Sequence, residues 1–335
     1  MSHSPRVQVA IELGKSLLRE LETPSFSLAM QRIKNENGWF TEDQVRLAIQ
    51  NIAHEILADP ALPQYVPLTD TPKKVGVIAA GNIPAVCFHD LLMVYLSGHE
   101  AYIKLSSSDT HLMLWILEQW FQLDPTANQA LQIKQRLQGV DALIATGSDN
   151  TAKHFDFYFQ HIPRLIRQNR TSIGILTGEE TQADFRSLGQ DIFQFFGLGC
   201  RNVAKVWVPK GYSFTPFFEA IEYWNSLTIH HKYFNNYSYQ KSIFLVNRVP
   251  HLDNGFLLIR PESQLVSPIS VLHYEEYTGH WQDAIEPYRE KIQCIVLKNP
   301  ESAPNWPAFD FGAAQKPGLQ DFADGVNTWD FLLSV

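Results

Sequence analysis

The chain has 335 residues, 45% of them hydrophobic and 19% charged, with a formal net charge of −8. That is a globular composition with ample core, long enough for two domains or for one large domain with an appendage. The negative balance and scattered Lys and Arg give no basis for a nucleic-acid partner, and no apolar run reaches the ~18 residues of a membrane span. The segment Met1-Ser2-His3-Ser4-Pro5-Arg6 has no secretory core. Three cysteines, Cys87, Cys200 and Cys294, are too few for a disulfide framework and fit a reducing cytoplasm.

Residues 6–60 predict helices, because Val7, Val9, Ala10, Leu13, Leu17, Leu18 and Leu21 recur at helical spacing. Thr41-Glu42-Asp43-Gln44 is a capped helix start with early acids. The proline-rich stretch 60–72 ends this region. From residue 74 strands and helices alternate. Strands are expected at 75–80, 101–105, 142–145 and 172–176, and helices at 84–96, 111–121, 128–139 and 150–160. A second stretch predicts helices at 180–196 and 214–226, with strands at 203–208, 242–246, 256–259, 269–273 and 292–297. The tail from 300 to 335 is rich in Pro, Gly, Asp and Asn and is expected to be ordered by packing on the body or on a neighbouring subunit. Alternation of this kind implies parallel, doubly wound sheets whose ligands bind beyond the strands' carboxyl ends.

Cys200 stands out among the candidates for chemistry. It lies in Phe195-Phe196-Gly197-Leu198-Gly199-Cys200-Arg201-Asn202, where glycines allow close backbone approach and Arg201 favours the thiolate. The alternative is a buried loop cysteine; Cys87 and Cys294, within apolar runs, read as inert core. Asn82, in Gly81-Asn82-Ile83-Pro84 after a strand, is either a turn residue or an amide donor to an oxyanion. Thr146-Gly147-Ser148 offers backbone N–H groups to a phosphate, or is simply a capped turn. Lys104, beside Ser106-Ser107-Ser108, suits a sugar-phosphate, or is an exposed strand end. His89-Asp90 and His230-His231 complete no metal motif. G-x-G-x-x-G after a strand, G-x-x-x-x-G-K-[ST] and G-x-S-x-G are all missing, which disfavours a standard Rossmann dehydrogenase, a P-loop enzyme and an α/β-hydrolase.

In order and spacing, 75–84 with Asn82, then Lys104, Thr146-Gly147-Ser148, Cys200 and Leu265-Val266-Ser267-Pro268 together resemble the aldehyde dehydrogenase superfamily. The nearest likeness is its acyl-CoA reductase branch, the fatty acyl-CoA reductases of bacterial bioluminescence. The likeness covers roughly residues 70–300 and implies an α/β fold of two doubly wound domains with an N-terminal helical extension. A cofactor-binding domain would span 1–172, a catalytic domain 173–300 and a tail 301–335. It further implies NADPH-dependent reduction of an acyl thioester, acyl-CoA above all, to an aldehyde, with Cys200 as nucleophile and Asn82 as oxyanion donor. Lys104, Ser107, Thr146, Gly147, Ser148 and Gln264 would meet the cofactor, no metal would be needed, and the chain would form a homo-oligomer.

Three departures from the superfamily bear on this. Where hydrolytic members carry a glutamate some 34 residues before the cysteine, this chain reads Arg164-Leu165-Ile166-Arg167, so no general base for water is present. Gln264 stands where many relatives place an acid on the nicotinamide ribose. Ser107 stands where NAD-preferring relatives place glutamate, which favours NADPH, with NADH the alternative. Two other readings stay open: an acyl phosphate reductase of the same superfamily, and a catalytically inactive nucleotide-binding relative.

Overall fold

The structure is a computed structural model that describes residues 4–66, 71–147 and 149–335. The chain divides into two compact units, Met1–Asn169 with Pro317–Val335, and Arg170–Lys316. Both are α/β. The first is built on a five-stranded sheet of β1 (Lys74–Ile78), β2 (Glu100–Lys104), β3 (Leu131–Ile133), β4 (Ala142–Thr146) and β5 (Arg164–Arg167). The strand order is β3-β2-β1-β4-β5, parallel throughout. Helices Phe88–Ser97, Thr110–Leu123 and Asp149–Tyr158 supply crossovers. The chain winds outward on both sides of β1, so the switch point where such sheets bind ligands lies between the carboxyl ends of β1 and β4.

The N-terminal helices Pro5–Glu20, Pro24–Glu36 and Glu42–Asn51 join the same core through stripes such as Val7, Ala10, Leu13 and Leu17. Their starts follow capping chemistry: Thr23 and Thr41 accept from Phe26 N–H and Gln44 N–H. Residues 317–335 return to this unit, and polar side chains fasten them there. His89 Nε2 hydrogen-bonds the Leu319 carbonyl at 2.8 Å, and His99 Nε2 the Leu332 carbonyl at 3.2 Å. Arg167 forms a buried ion pair with Asp90 at 2.5 Å and donates to Thr328 Oγ1 at 2.8 Å. The His89-Asp90 pair thus holds the tail.

The second unit carries seven strands: β6 (Thr171–Ile175), β7 (Val203–Pro209), β8 (Leu252–Asp253), β9 (Leu258–Pro261), β10 (Val271–Tyr277), β11 (Ile292–Val296) and β12 (Ala308–Phe309). Their order is β12-β11-β6-β7-β10-β9-β8, and only the β8–β9 pair is antiparallel. The register slips on both sides of Ser172. One bulge lies opposite it on β11, between Ile292 and Ile295, and another falls between Ser172 and Ile173 against β7.

Several local expectations give way. Residues 128–139 do not form one helix: a single turn, Ala127–Ala130, leads into edge strand β3. The alternation of Leu131 and Ile133 suits pairing with β2 better than a helix face. Residues 242–246 are the end of helix His231–Val246 and not a strand. No Gly or Pro interrupts that helix after its cap at His230, and its last residues, Leu245 and Val246, are exposed. β5, with only two apolar residues between arginines, was not foreseen. The unit boundary falls at 169/170, and the tail divides at 316/317 between the two units. Among the described residues no helix is long and apolar enough to cross a membrane.

Candidate active site

Cys200 lies in a turn immediately before β7 and is half-buried, whereas Cys87 and Cys294 are buried. The turn is fixed by its neighbour Asn202, which is 3% exposed. Asn202 Oδ1 accepts from Gly199 N–H at 2.8 Å. Its Nδ2 donates to the carbonyls of Asp191 at 2.9 Å and Gln194 at 2.8 Å, so one amide ties the turn to the end of helix Gln182–Phe193. From β6, Ser172 Oγ donates to the Cys200 carbonyl and lies against Cys294 Sγ, 3.0 Å in each case. Burial pushes the Cys294 thiol up to about 11, so it stays protonated at neutral pH; Cys87 is pushed well up for the same reason.

Three residues ahead of the turn, the backbone is left-handed at Phe195, Phe196 and Gly197, with φ of 51°, 56° and 77°. Such a conformation costs a non-glycine residue about 1 kcal/mol or more, and it gathers where function demands a particular chain path. Phe196 stacks on His230 with centroids 4.3 Å apart, and His230 Nδ1 caps the following helix through Tyr233 N–H. A small cleft opens between Gly197, Asn202 and Val203 on one side and the Ser267–Val271 turn on the other. Ser270 in that turn is again left-handed, at φ 65°. Gln264 is exposed in the β9–β10 connection; its carbonyl is hydrogen-bonded to His273 Nδ1 at 3.0 Å.

In the first unit, Asn82 follows β1, Lys104 ends β2 with Ser107 just beyond it, and Thr146 and Gly147 close β4. Because the three strands are adjacent and parallel, these residues share one sheet edge at the switch point. Asn82, Lys104 and Ser107 are exposed there. Ser148 lies outside the described residues. Gly81 packs so near Ser106 that a Cβ would stand 2.7 Å from the Ser106 Cβ, so only glycine allows the loops after β1 and β2 to approach this closely. Sequence reasoning overlooked Ser172, Asn202 and Asp109. Each shows locally only as a small polar residue, Ser172 within a strand and Asn202 and Asp109 just before a strand and a helix.

Sequence comparison matches the chain to no known protein family and to no curated protein. Comparison of structures is informative. Aldehyde dehydrogenase 21 from Physcomitrella patens, solved with succinate, superposes with a TM-score of 0.68 at 11% identity, covering 99% of this chain and 84% of that one. An acetylating aldehyde dehydrogenase from Geobacillus thermoglucosidasius gives 0.63 at 11% identity, covering 95% and 86%. The NAD+ complex of an aldehyde dehydrogenase from Bacillus cereus gives 0.60 at 11% identity, covering 91% and 74%. The fold is therefore that of the aldehyde dehydrogenases.

Proposed function

We propose that this protein is an NAD(P)H-dependent oxidoreductase that reduces an acyl thioester, acyl-CoA in the first instance, to an aldehyde. The observation that supports it most is Cys200: a half-buried thiol on a turn pinned by Asn202 and Ser172, beside a run of left-handed backbone. In this reading the Cys200 thiolate attacks the thioester carbon, while the Asn82 amide and the Cys200 N–H receive the charge that develops on oxygen. Coenzyme A leaves as its thiolate, takes a proton from solvent, and an acyl-Cys200 remains. A nicotinamide cofactor, when bound, would supply the hydride that reduces that carbonyl. The oxyanion then collapses, releasing aldehyde and regenerating the Cys200 thiolate.

Ile166 and its neighbours offer no carboxylate where hydrolytic relatives place one, so the acyl group is kept from water. Lys104, Thr146, Gly147 and Ser148 would hold the cofactor phosphates and ribose, Ser107 would leave room for a 2′-phosphate and so favour NADPH, and Gln264 would meet the nicotinamide ribose. The test is NADPH oxidation against a panel of acyl-CoA chain lengths. Cys200→Ser should abolish it, and Asn82→Ala should cost about 3 kcal/mol of transition-state stabilisation, a hundredfold or more in rate. Full turnover by the Cys200→Ser protein, or no oxidation with any thioester, would refute the assignment.

A further inference from the structure

We propose that Asp109 is a positioning residue that fixes the loop carrying Asn82; the catalytic part of the proposal rests on the function assigned above. Asp109 immediately precedes helix Thr110–Leu123, where aspartate ordinarily turns its carboxylate onto the first helical N–H groups. It makes no such cap. Glu36, from an N-terminal helix, does so instead: its Oε2 accepts from Thr110 N–H and His111 N–H at 2.9 Å each. Asp109 is thereby released for another contact, and its Oδ2 accepts from Ala85 N–H at 2.8 Å.

Ala85 lies three residues after Asn82 and is left-handed, at φ 54°. A non-glycine residue keeps that conformation only where its surroundings enforce it. Asp109 is 1% exposed, and among the described residues its other oxygen, Oδ1, is buried with no hydrogen-bond partner. Such an arrangement is costly, and a carboxylate needed only to start a helix would avoid it. At the other end of the loop, a Cβ on Gly81 would stand 3.3 Å from the Asp109 Cβ, besides its clash with Ser106. The stretch Gly81–Ala85 is thus gripped at both ends by Ser106–Asp109, with Asn82 between. Since Ser107 belongs to the gripping segment, the Asn82 loop and the loop after β2 form one mechanical piece.

Burial, with a further push from the Glu36 carboxylate, raises the Asp109 carboxyl to about 8, against the pull of the Ala85 N–H. The experiment compares full-length wild type, Asp109→Ala and Asp109→Asn by amide hydrogen exchange and steady-state kinetics. Asp109→Ala is expected to speed exchange across residues 82–87. It should lower kcat on the order of ten- to a hundredfold with little change in either KM, as a displaced donor would. Asp109→Asn keeps an acceptor for Ala85 N–H and is expected to rescue both exchange and most of the turnover. Unchanged exchange at 82–87 in Asp109→Ala overturns the proposal. If that variant does not fold, unchanged exchange at 82–87 in Asp109→Ser, whose shorter side chain falls short of Ala85 N–H, overturns it equally. Should wild type reduce no thioester, the functional assignment fails, while the exchange data still decide whether Asp109 grips the loop.

Discussion

Asn202 sits two residues from the candidate nucleophile, and its whole side-chain amide is spent on backbone groups. Truncation would strand the Gln194 carbonyl and the Gly199 N–H in a half-buried place and leave the Asp191 carbonyl with only the 3.4 Å contact from Gln315 Nε2. Each stranded group costs about 1–3 kcal/mol, so Asn202→Ala should lose on the order of 3 kcal/mol in urea denaturation. With the turn loosened, turnover should fall by at least about tenfold, because the sulfur's placement is lost. A variant with unchanged midpoint and rate would mean that the turn holds itself. Residue type and local setting, a glycine-bracketed turn and two strand ends, nominated Cys200, Asn82 and Lys104. They could not nominate Asn202, Ser172 or Asp109, whose roles come from the backbone they meet. Ser172 meets Cys294 across 122 positions of sequence, and no local pattern encodes such an encounter.

Helix Gln182–Phe193 shows how one element is tied to another. Asp191 near its end is buried and accepts from Gly312 N–H at 2.6 Å and Ala314 N–H at 3.1 Å, holding the 312–315 stretch against it. Burial raises its carboxyl to about 7, although both N–H groups pull it down. The folded state therefore keeps a proton that the unfolded chain releases near 3.8. The stability associated with that proton is fully present below the unfolded value and is lost as pH rises toward about 7. Asp191→Asn removes this titration, so its melting temperature should decline less than that of wild type between pH 5 and 7; parallel curves would contradict the assignment. Elements were legible where periodicity and flanking residues agreed, as at β1, β4, β7 and β11. They were not legible where a short apolar run could be strand or helix: Ser242–Val246 continues a helix because the cap at His230 and the length behind it decide the matter.

For the molecule as a whole, the parallel sheets followed from the alternation of strands and crossover helices, which survives when few identities do. The return of residues 317–335 to the first unit was not readable, because it depends on contacts such as that between Arg167 and Thr328, 161 positions apart. The Asp90–Arg167 pair beneath that contact is buried on both sides. Asp90→Ala would leave the guanidinium without its counter-charge, at an expected loss of about 3–5 kcal/mol. Chemical denaturation measures this directly, and a loss below about 1 kcal/mol, typical of an exposed pair, would show the pair to be solvated.

Interleaving of the units also sets an order of events at the ribosome. Residues 170–316 emerge as one uninterrupted stretch and can close their sheet while synthesis continues. Arg167, made earlier, must wait for Thr328, 161 positions on, and His99 for Leu332, 233 positions on. The half bearing Cys200 can thus mature first, and the half bearing Asn82 is completed only once residues 317–335 have emerged.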